Sequence, residues 1–557
     1  MYAASHCAKR ADMIDGVRHL QAAAGPLLLL IPLSYALAAA LPVSRANPRV
    51  PVVWNRALFL AGSALGLAIS LAVALTVFGE VLFRTLTIIP LGRIGALSVS
   101  VRLDLLTAIM LILVSFIGLI ILRFSRRYLE GDPSQAYYVR WFMATLAAVT
   151  LLVISNNLML LALAWICTSL ALHQLLTFYS NRQQALIAAH KKFLASRVAD
   201  LCLLGACMLI GLNFGSLEMD EIFARIETAP AYPAALQWAV VLLAVAAVLK
   251  CAQLPIHGWL IQVMEAPTPV SALLHAGVVN IGGFLMIRMS PLMVGSDAAQ
   301  ALLVFVGSLT AVIAALTMMT RISIKVMLAW STCAQMGFML MQCGLGAYEL
   351  AALHLIGHSL YKAHAFLSSG SVVEQYRLKA MSPTQHRPVF AHWLGALAVS
   401  TAIVAVTATA AKIGLGEEPA LWALAWIVTV ALTTLLVHSA PRFGWRHVAL
   451  LAGTSAMVAI LYFIAHAVLL AIQVTPLPVR SAPSYALVGW VIGCFSLLFV
   501  LHAWIRVYPE GRLSQWLYPH LFSGLYLDEL FTRLTFRVWP AKLASREARP
   551  LSANVNP

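Results

Sequence analysis

Charged side chains are scarce in this sequence of 557 residues. Asp, Glu, Lys and Arg together make up 10% of it, and apolar residues make up 61%. Soluble domains carry about 25% charged residues and have a smaller apolar fraction than this chain. Disordered chains have an even smaller apolar fraction. The composition therefore excludes both classes. The apolar residues form uncharged blocks of about 18–28 residues, each long enough to cross a bilayer as a helix. The sequence predicts an all-α polytopic membrane protein.

Metal-binding and catalytic motifs are also missing. The eight cysteines form no C-x-x-C pair, and no cluster of Cys and His has the spacing of metal ligands. Most of the cysteines lie inside apolar blocks, where cysteine packs as a small hydrophobic residue. The sequence contains no nucleophile–base arrangement and no phosphate-binding loop. We therefore expect no disulfide, metal or cofactor in this chain, and no enzymatic activity of its own.

The apolar blocks define about fifteen predicted transmembrane helices. Charged or Gly/Pro-rich breaks separate them, and a polar tail (506–557) follows the last one. The predicted helices cover residues 25–42, 57–78, 103–122, 141–155, 158–178, 193–213, 235–263, 269–288, 298–319, 323–343, 347–373, 389–412, 420–439, 447–472 and 484–505.

Basic residues are distributed unevenly between the two sets of loops. The loops after predicted helices 1, 3, 5, 9, 11 and 13 contain 16 Lys and Arg residues, and the loops after even-numbered helices contain six. Because basic residues concentrate in cytoplasmic loops, the odd loops and the C-terminal tail are predicted to be cytoplasmic and the N-terminus periplasmic. The net charge of +16 then reflects membrane orientation and does not indicate a nucleic-acid partner.

Two lysines close long apolar runs. Lys250 follows fourteen uncharged residues and stands five residues before Pro255, where a helix should break because proline removes a backbone donor. Lys412 also ends an apolar run and is followed by two glycines. An ionisable side chain at mid-membrane depth is costly and usually functional; the alternative is a lysine that extends to the membrane surface. Two broken helices, five spans apart, indicate an inverted repeat.

Three ionisable residues share one face of predicted helix 11. His354, His358 and Lys362 are spaced four residues apart, so they lie about 6 Å apart along the helix axis. Such a row can pass protons through intervening water, since histidine titrates near neutral pH. The alternative is a row of hydrogen-bonded packing residues. His275 and Lys325 are further candidates, with a packing residue and a loop-edge charge as their respective alternatives.

Acidic residues that could pair with these cations are few. Asp104 stands at the start of predicted helix 3, Asp200 lies in helix 6, and Glu265 follows the broken helix. Arg197 precedes Asp200 by three residues, so a structural ion pair between them is the alternative to a role in transport.

Four segments, in the same order along the chain, resemble the signature of the antiporter-like subunits of respiratory complex I and of Mrp antiporters. They begin at Lys250 (KCAQLPIHGWL), Met264 (MEAPTPVSALLH), Ile324 (IKVMLAWST) and His354 (HLIGHSLYK). A fifth segment, YLDELF from Tyr526, resembles the subunit-5 branch of that family. The resemblance is best over roughly residues 95–415.

This resemblance implies a bundle with two inverted five-helix repeats that contain broken helices. It also implies a proton path near mid-membrane, comprising Lys250, His275, Lys325, His354, His358, Lys362 and Lys412. The expected division is a polar N-terminal segment (1–24), N-terminal helices (25–140), a first antiporter-like repeat (141–288), a second (298–439), C-terminal helices (440–505) and a cytoplasmic tail (506–557).

The chain departs from the family pattern in two places. Family members carry a glutamate after the tryptophan of helix 5, as the partner of the broken-helix lysine, and here Ile166 stands at that position. His173, seven residues on, is a candidate substitute proton carrier, with a packing histidine as the alternative. The chain also ends about fifty residues after the last predicted helix. It lacks the long lateral helix of the complex I subunit, so we do not expect a normal place in complex I.

A shorter branch with these features comprises the membrane subunits of the DAB inorganic-carbon accumulation systems. Resemblance to it implies a bacterial inner-membrane protein that couples proton or sodium entry to CO2 hydration on a large cytoplasmic partner. That DabA-like partner resembles a zinc β-carbonic anhydrase, and the zinc would belong to it. The alternatives are a proton-pumping subunit of a respiratory, hydrogenase-linked or Mrp-type assembly, and a non-conducting membrane anchor for a soluble enzyme. The basic loops and the tail around Asp528 and Glu529 are the expected docking surface.

Overall fold

Helices dominate the computed structural model of the chain, which describes residues 25–40, 50–179, 181–226, 232–371, 389–410, 419–439, 445–472 and 484–540. The elements up to the helix break are α1 (Gly25–Ala40), α2 (Val50–Phe78), β1 (Val81–Pro90), β2 (Ala96–Leu103), α3 (Leu105–Tyr128), α4 (Gln135–Ile154), α5 (Leu158–Leu176), α6 (Gln183–Phe214), α7 (Met219–Ile226) and α8 (Ala234–Lys250).

The elements after the break are α9 (Gly258–Gln262), α10 (Thr268–Ala276), α11 (Ile281–Arg288), α12 (Ser290–Met293), α13 (Asp297–Met318), α14 (Ile324–Gly344), α15 (Tyr348–Leu367), α16 (Phe390–Ala410), α17 (Pro419–Ser439), α18 (Trp445–Ala471), α19 (Tyr485–Val507), α20 (Arg512–Phe522) and α21 (Leu527–Val538). Short 3-10 turns join several of them, including those between α9 and α11.

The predicted polytopic helical architecture is confirmed. Within the described residues, 12 helical segments are long and apolar enough to cross a membrane, and α10 and α11 together form one of these. The other three predicted spans correspond to α1 and α8, which are shorter, and to α15. Helix α15 is less apolar because it carries the predicted row of His354, His358 and Lys362.

A β-hairpin between α2 and α3 is an element that the sequence analysis did not predict. Strands β1 and β2 pair in antiparallel fashion, with Val81 opposite Leu103 and Pro90 opposite Ala96. The turn contains Gly92 and Gly95, whose φ angles are +64° and +112°, values that side chains other than glycine rarely adopt. The segment is too short and too polar to span a membrane, so the sequence pattern indicated only a loop. Hydrogen bonds to the neighbouring loops also hold the two strands of the hairpin in place.

The hairpin lies at the end of the bundle where the even-numbered loops meet. The backbone N–H of Asn156, after α4, donates to Ser100 O at 2.8 Å, and the Asn157 side chain donates to Ala96 O at 3.0 Å. The Asn157 amide also donates to Glu218 Oε1, after α6, at 2.8 Å. One end of the bundle therefore gathers the loops after α2, α4 and α6.

The C-terminal tail folds onto the opposite end of the bundle. The predicted tail contains α20 and α21, which lie against α13 and α6 respectively. Arg321, in the loop between α13 and α14, donates from Nη2 to Leu521 O at 3.1 Å. The tail thus meets the loops after odd-numbered helices, and it is ordered by packing that its polar composition did not reveal.

Candidate functional site

The helix that carries Lys250 ends at that residue. Helix α8 stops at Lys250, the chain is non-helical from 251 to 257, and α9 begins at Gly258. Pro255 lies in this interruption, and Ala252 has a φ angle of +51°, which a continuous helix does not permit. The interruption exposes backbone groups in the interior of the bundle, as in the broken helices of ion carriers.

Lys250 is buried among the helices of the first predicted repeat. The residue is 4% exposed, and its Nζ has no hydrogen-bond partner among the described residues. The ammonium lies 4.2 Å from the centre of the Trp165 ring, on α5. A cation–π contact of this kind offsets part of the cost of taking a charge out of water. The side chain therefore does not extend to a membrane surface.

The acid that interacts electrostatically with Lys250 belongs to α6 and not to α5. Ile166 is half-buried and uncharged, as the sequence showed. Asp200 is buried, forms an ion pair with Arg197 Nη2 at 2.7 Å, and interacts electrostatically with Lys250. Asp200 therefore forms the ion pair with Arg197 and also lies within the electrostatic reach of the broken-helix lysine, and its role in transport stays a prediction.

The sequence prediction missed two lysines. It placed Lys191 and Lys192 in a loop, but both lie in α6 and are buried, at 0% and 2% exposed. Lys192 Nζ donates to Ser169 O at 2.5 Å and to Ser169 Oγ at 2.9 Å, and it interacts electrostatically with Lys250 and Asp200. The sequence did contain a signal for this longer helix. Ala185, Ala188 and Ala189 lie three or four positions apart before residue 193, which is the spacing of one helix face.

His354, His358 and Lys362 lie in one row along α15, as predicted from their spacing. The rings of His354 and His358 have their centroids 6.0 Å apart. His354 Nδ1 lies 3.1 Å from Gln342 Oε1, whereas neither ring nitrogen of His358 has a hydrogen-bond partner among the described residues. Lys362 Nζ donates to Leu328 O at 3.2 Å, and the residue is fully buried.

His275 joins this row from the preceding repeat. It is fully buried, and its ring stacks on Phe366 with centroids 4.4 Å apart. It interacts electrostatically with Lys362 and His358. A buried hydrogen bond of 2.7 Å from Asn280 Nδ2 to Ser359 Oγ lies between the same two segments. The structure therefore brings His275 into the row with the three residues of α15.

Lys325 stands apart from these groups. Lys325 is half-buried at the start of α14 and donates from Nζ to Thr268 Oγ1 at 2.7 Å. This bond links the IKVMLAWST and MEAPTPVSALLH segments. Lys412 lies outside the described residues.

Two of the three candidate acids pair elsewhere. Glu265 forms an ion pair of 3.5 Å with Arg182 in which both side chains are substantially exposed, so it is not beside a buried lysine. Asp104 caps α3 and binds Arg288, and Arg102 Nε lies 3.0 Å from its carboxylate. Burial favours a higher pKa for Asp104, but the two arginines and Thr107 hold the pKa at about 2. Asp104 therefore stays ionised and does not carry protons.

His173, the candidate substitute carrier, lies near Lys192 and the C-terminal tail. Its ring contacts Phe193 at a centroid distance of 5.3 Å and Trp539 of the tail at 6.3 Å. It interacts electrostatically with Lys192 and His190. The neighbour that could substitute for the missing glutamate by charge is Asp200, whereas His173 stands closer to the tail.

Two buried clusters result, one in each part of the bundle. The first contains Lys192, Arg197, Asp200 and Lys250; the second contains His275, His354, His358 and Lys362. The side chains of lysine and histidine can accept and release protons. They repel cations when they are charged and can bind them when they are neutral. Within the described residues, no group of three or more His, Cys, Asp or Glu side chains could hold a metal ion.

Comparison with known proteins gives consistent matches. The family model described as NADH:quinone oxidoreductase/Mrp antiporter, TM, matches residues 155–439, and the model for the N-terminus of complex I chain 5 matches 91–139. The chain is 38% identical over 538 residues to the probable inorganic carbon transporter subunit DabB of Hydrogenovibrio crunogenus, covering 95% of this chain and 97% of that protein. It is 40% identical over 533 residues to the probable subunit DabB2 of Halothiobacillus neapolitanus, covering 93% and 95%.

A solved structure shares the fold. A chain of the Mrp complex from Dietzia sp. superimposes with a TM-score of 0.61 at 23% sequence identity. The match covers 92% of this chain and 59% of that one. At this level of identity the similarity supports the bundle architecture alone.

Proposed function

Because the chain belongs to the NADH:quinone oxidoreductase/Mrp antiporter family of membrane subunits, we propose that it conducts protons, or sodium ions, across a membrane and couples this flux to inorganic-carbon accumulation. Family membership makes the chain an antiporter-like, multi-pass membrane subunit and not an enzyme, as the sequence predicted. The coupling ion and its use are the proposal.

The observation that carries the proposal is the burial of ionisable groups that no acid bonds directly among the described residues. Lys250 and His358 lack hydrogen-bond partners among the described residues, and Lys192 and Lys362 bond only to neutral oxygens. Unpaired ionisable groups inside a membrane protein are expensive, and they usually mark an ion or proton route. A pure membrane anchor would be more stable with apolar residues at these positions.

The accumulation of inorganic carbon is proposed from the two relatives named as inorganic carbon transporter subunits, each of which aligns with more than nine-tenths of this chain. In this proposal the partner is a large cytoplasmic DabA-like subunit with the zinc site of a β-carbonic anhydrase. Cation entry through the bundle would drive one-way hydration of CO2 on that partner, so that bicarbonate accumulates in the cell. The protein would reside in a bacterial inner membrane.

A second candidate function is a proton-pumping subunit of a respiratory, hydrogenase-linked or Mrp-type assembly. The match of residues 91–139 to the N-terminus of complex I chain 5 favours it. The two functions differ in their partner: a complex purified with a zinc-containing hydratase supports carbon accumulation, whereas one purified with quinone-reductase or other antiporter subunits supports the second function. The absence of a charge at Ile166 favours a third candidate, the non-conducting anchor.

The test is cation flux in vesicles that contain the assembled complex. An imposed proton gradient should drive flux that a pH-sensitive dye reports, and Lys250→Ala and His358→Gln should abolish it, because each removes a buried ionisable group. Two matched controls should conduct normally: Arg56→Gln on the exposed face of α2, and His364→Gln, an exposed histidine six residues from His358. Flux that needs sodium instead would identify the ion. Normal flux in both variants would contradict a path through these two residues, and absence of flux in the wild type would leave only the anchor.

A further inference from the structure

The C-terminal tail contributes a carboxylate to the first buried cluster region. Asp528, in the first turn of α21, accepts hydrogen bonds from Lys191 Nζ at 2.9 Å through Oδ1 and at 2.8 Å through Oδ2. The Lys191 side chain is 0% exposed, whereas that of Asp528 is 29% exposed. Asp528 therefore joins a fully buried ammonium to the surface, and it does not face outward as a docking residue.

The same carboxylate binds the chain just after the helix break. Gln262 Nε2, in α9, donates to Asp528 Oδ2 at 3.0 Å. Asp528 also lies directly on Gly258, where an added Cβ atom would clash with the carboxylate. Glycine at this position allows the close approach. Asp528 thus connects α6 with α9, the short helix that follows the interruption.

These contacts lie next to the lysine cluster along α6. Lys191 precedes Lys192, which interacts electrostatically with Lys250 and Asp200. Next to it, His190 stacks on Trp539 of the tail with centroids 3.9 Å apart and an interplanar angle of 9°. The tail therefore covers α6 at the level where the buried lysines begin.

A purely structural role does not account for the ion pair. The His190–Trp539 stack and the contact of Lys191 with the Phe531 ring, at 6.0 Å, already hold the tail on α6. A buried ion pair is often no more stabilising than apolar residues of similar size. Attachment of the tail therefore does not by itself require a charge at this place.

We propose that Asp528 is a positioning residue for the proposed ion path: its carboxylate holds the buried ammonium of Lys191 at the cytoplasmic entrance to the Lys192–Asp200–Lys250 cluster. The inference rests on the proposed function, because the cluster matters in this way only if ions pass it. It assigns the tail to the conducting machinery itself.

The experiment compares variants of neighbouring acids in the vesicle assay. Asp528→Asn keeps the shape of the side chain and removes its charge. Glu529→Gln makes the same change at the next residue, which is 59% exposed and forms an ion pair with Arg533 on its own helix. Flux is measured over a series of pH values, and complex assembly is measured by size-exclusion chromatography. Asp528→Glu tests rescue by a carboxylate.

Asp528→Asn should lower flux about tenfold or more and should move its pH profile by about one unit, since loss of a charge within about 4–6 Å changes protonation equilibria on that scale. Glu529→Gln should match the wild type, and Asp528→Glu should recover part of the flux. If Asp528→Asn does not assemble, the double variant Lys191→Gln/Asp528→Asn leaves no unpaired buried charge and should assemble without conducting.

Each result decides the inference. Wild-type flux and pH profile in Asp528→Asn, or in the double variant, would overturn it while the proposed function stands. An equal loss of flux in Glu529→Gln would show that only the total charge of the tail matters, and it would also overturn the inference. Absence of flux in the wild type itself would remove the proposed function and this inference with it.

Discussion

At the scale of single residues, a substitution in one helix is matched by an acid in another. The sequence left Lys250 without its expected partner because Ile166 stands where the family has glutamate. In the structure, the negative charge near Lys250 comes from Asp200 on α6, and the ammonium lies over the ring of Trp165. A buried ammonium tolerates such an exchange because electrostatic attraction depends on distance and surroundings and not on the helix that carries the acid.

Asp200 therefore gives the first prediction. Asp200→Asn removes a buried partner of Arg197 and leaves the lysine cluster without an acid. The free energy of unfolding should therefore fall by about 3 kcal/mol, and the cation flux should also fall. The measurements are thermal unfolding of the purified complex and the vesicle flux assay. Glu265→Gln is the matched control: its exposed ion pair with Arg182 should contribute less than about 1 kcal/mol. Equal effects of the two substitutions would contradict the role given to Asp200.

At the scale of secondary-structure elements, the bundle depends on close approaches that glycine permits. Helices α13 and α14 touch at Gly307 and Gly337, where a Cβ on either residue would lie 2.5–2.6 Å from the other's carbonyl oxygen. The hairpin uses glycine differently. Gly95 combines a positive φ angle with contacts of 3.0 Å from an added Cβ to the backbone at Ser216 and Leu217. This approach fixes the hairpin on the loop after α6.

Gly95→Ala should therefore destabilise the protein by roughly 1–3 kcal/mol, because it adds both backbone strain and a backbone clash. Gly92→Asn in the same turn is the control: its φ angle is +64°, an added Cβ meets nothing within 4 Å, and asparagine tolerates this conformation. Thermal unfolding of the two variants checks the prediction. A variant at Gly95 as stable as the one at Gly92 would show that the hairpin packs less tightly than the structure indicates.

At the scale of the whole molecule, the contacts separate two ends that agree with the loop charges. The hairpin, Asn157 and Glu218 meet at one end, and the tail meets Arg321 and Lys191 at the other. The end with the tail carries the basic odd loops, so it is the predicted cytoplasmic face.

This orientation predicts the outcome of reporter fusions. Green fluorescent protein fused after the last residue should fluoresce, because it folds in the cytoplasm. Alkaline phosphatase inserted between Gly92 and Gly95 should be active, because it folds in the periplasm. The same two reporters exchanged between the sites serve as controls and should be silent. Active phosphatase at the C-terminus would reverse the assigned orientation.

The sequence by itself determined the elements whose cause is local. Runs of apolar residues gave the helical spans, because each span satisfies its own backbone hydrogen bonds in a membrane. The four-residue spacing placed His354, His358 and Lys362 in one row, since helix geometry fixes which side chains share a face. The proline after Lys250 indicated the helix break.

Only the tertiary structure decided which distant residues meet. Lys191 and Asp528 are 337 positions apart, and Arg288 binds Asp104 across 184 positions. The hairpin, the burial of Lys192 and the placement of Asp200 beside Lys250 likewise depend on neighbouring elements. These contacts have no local signature, because the energy of a buried charge is set by the groups that the fold packs around it.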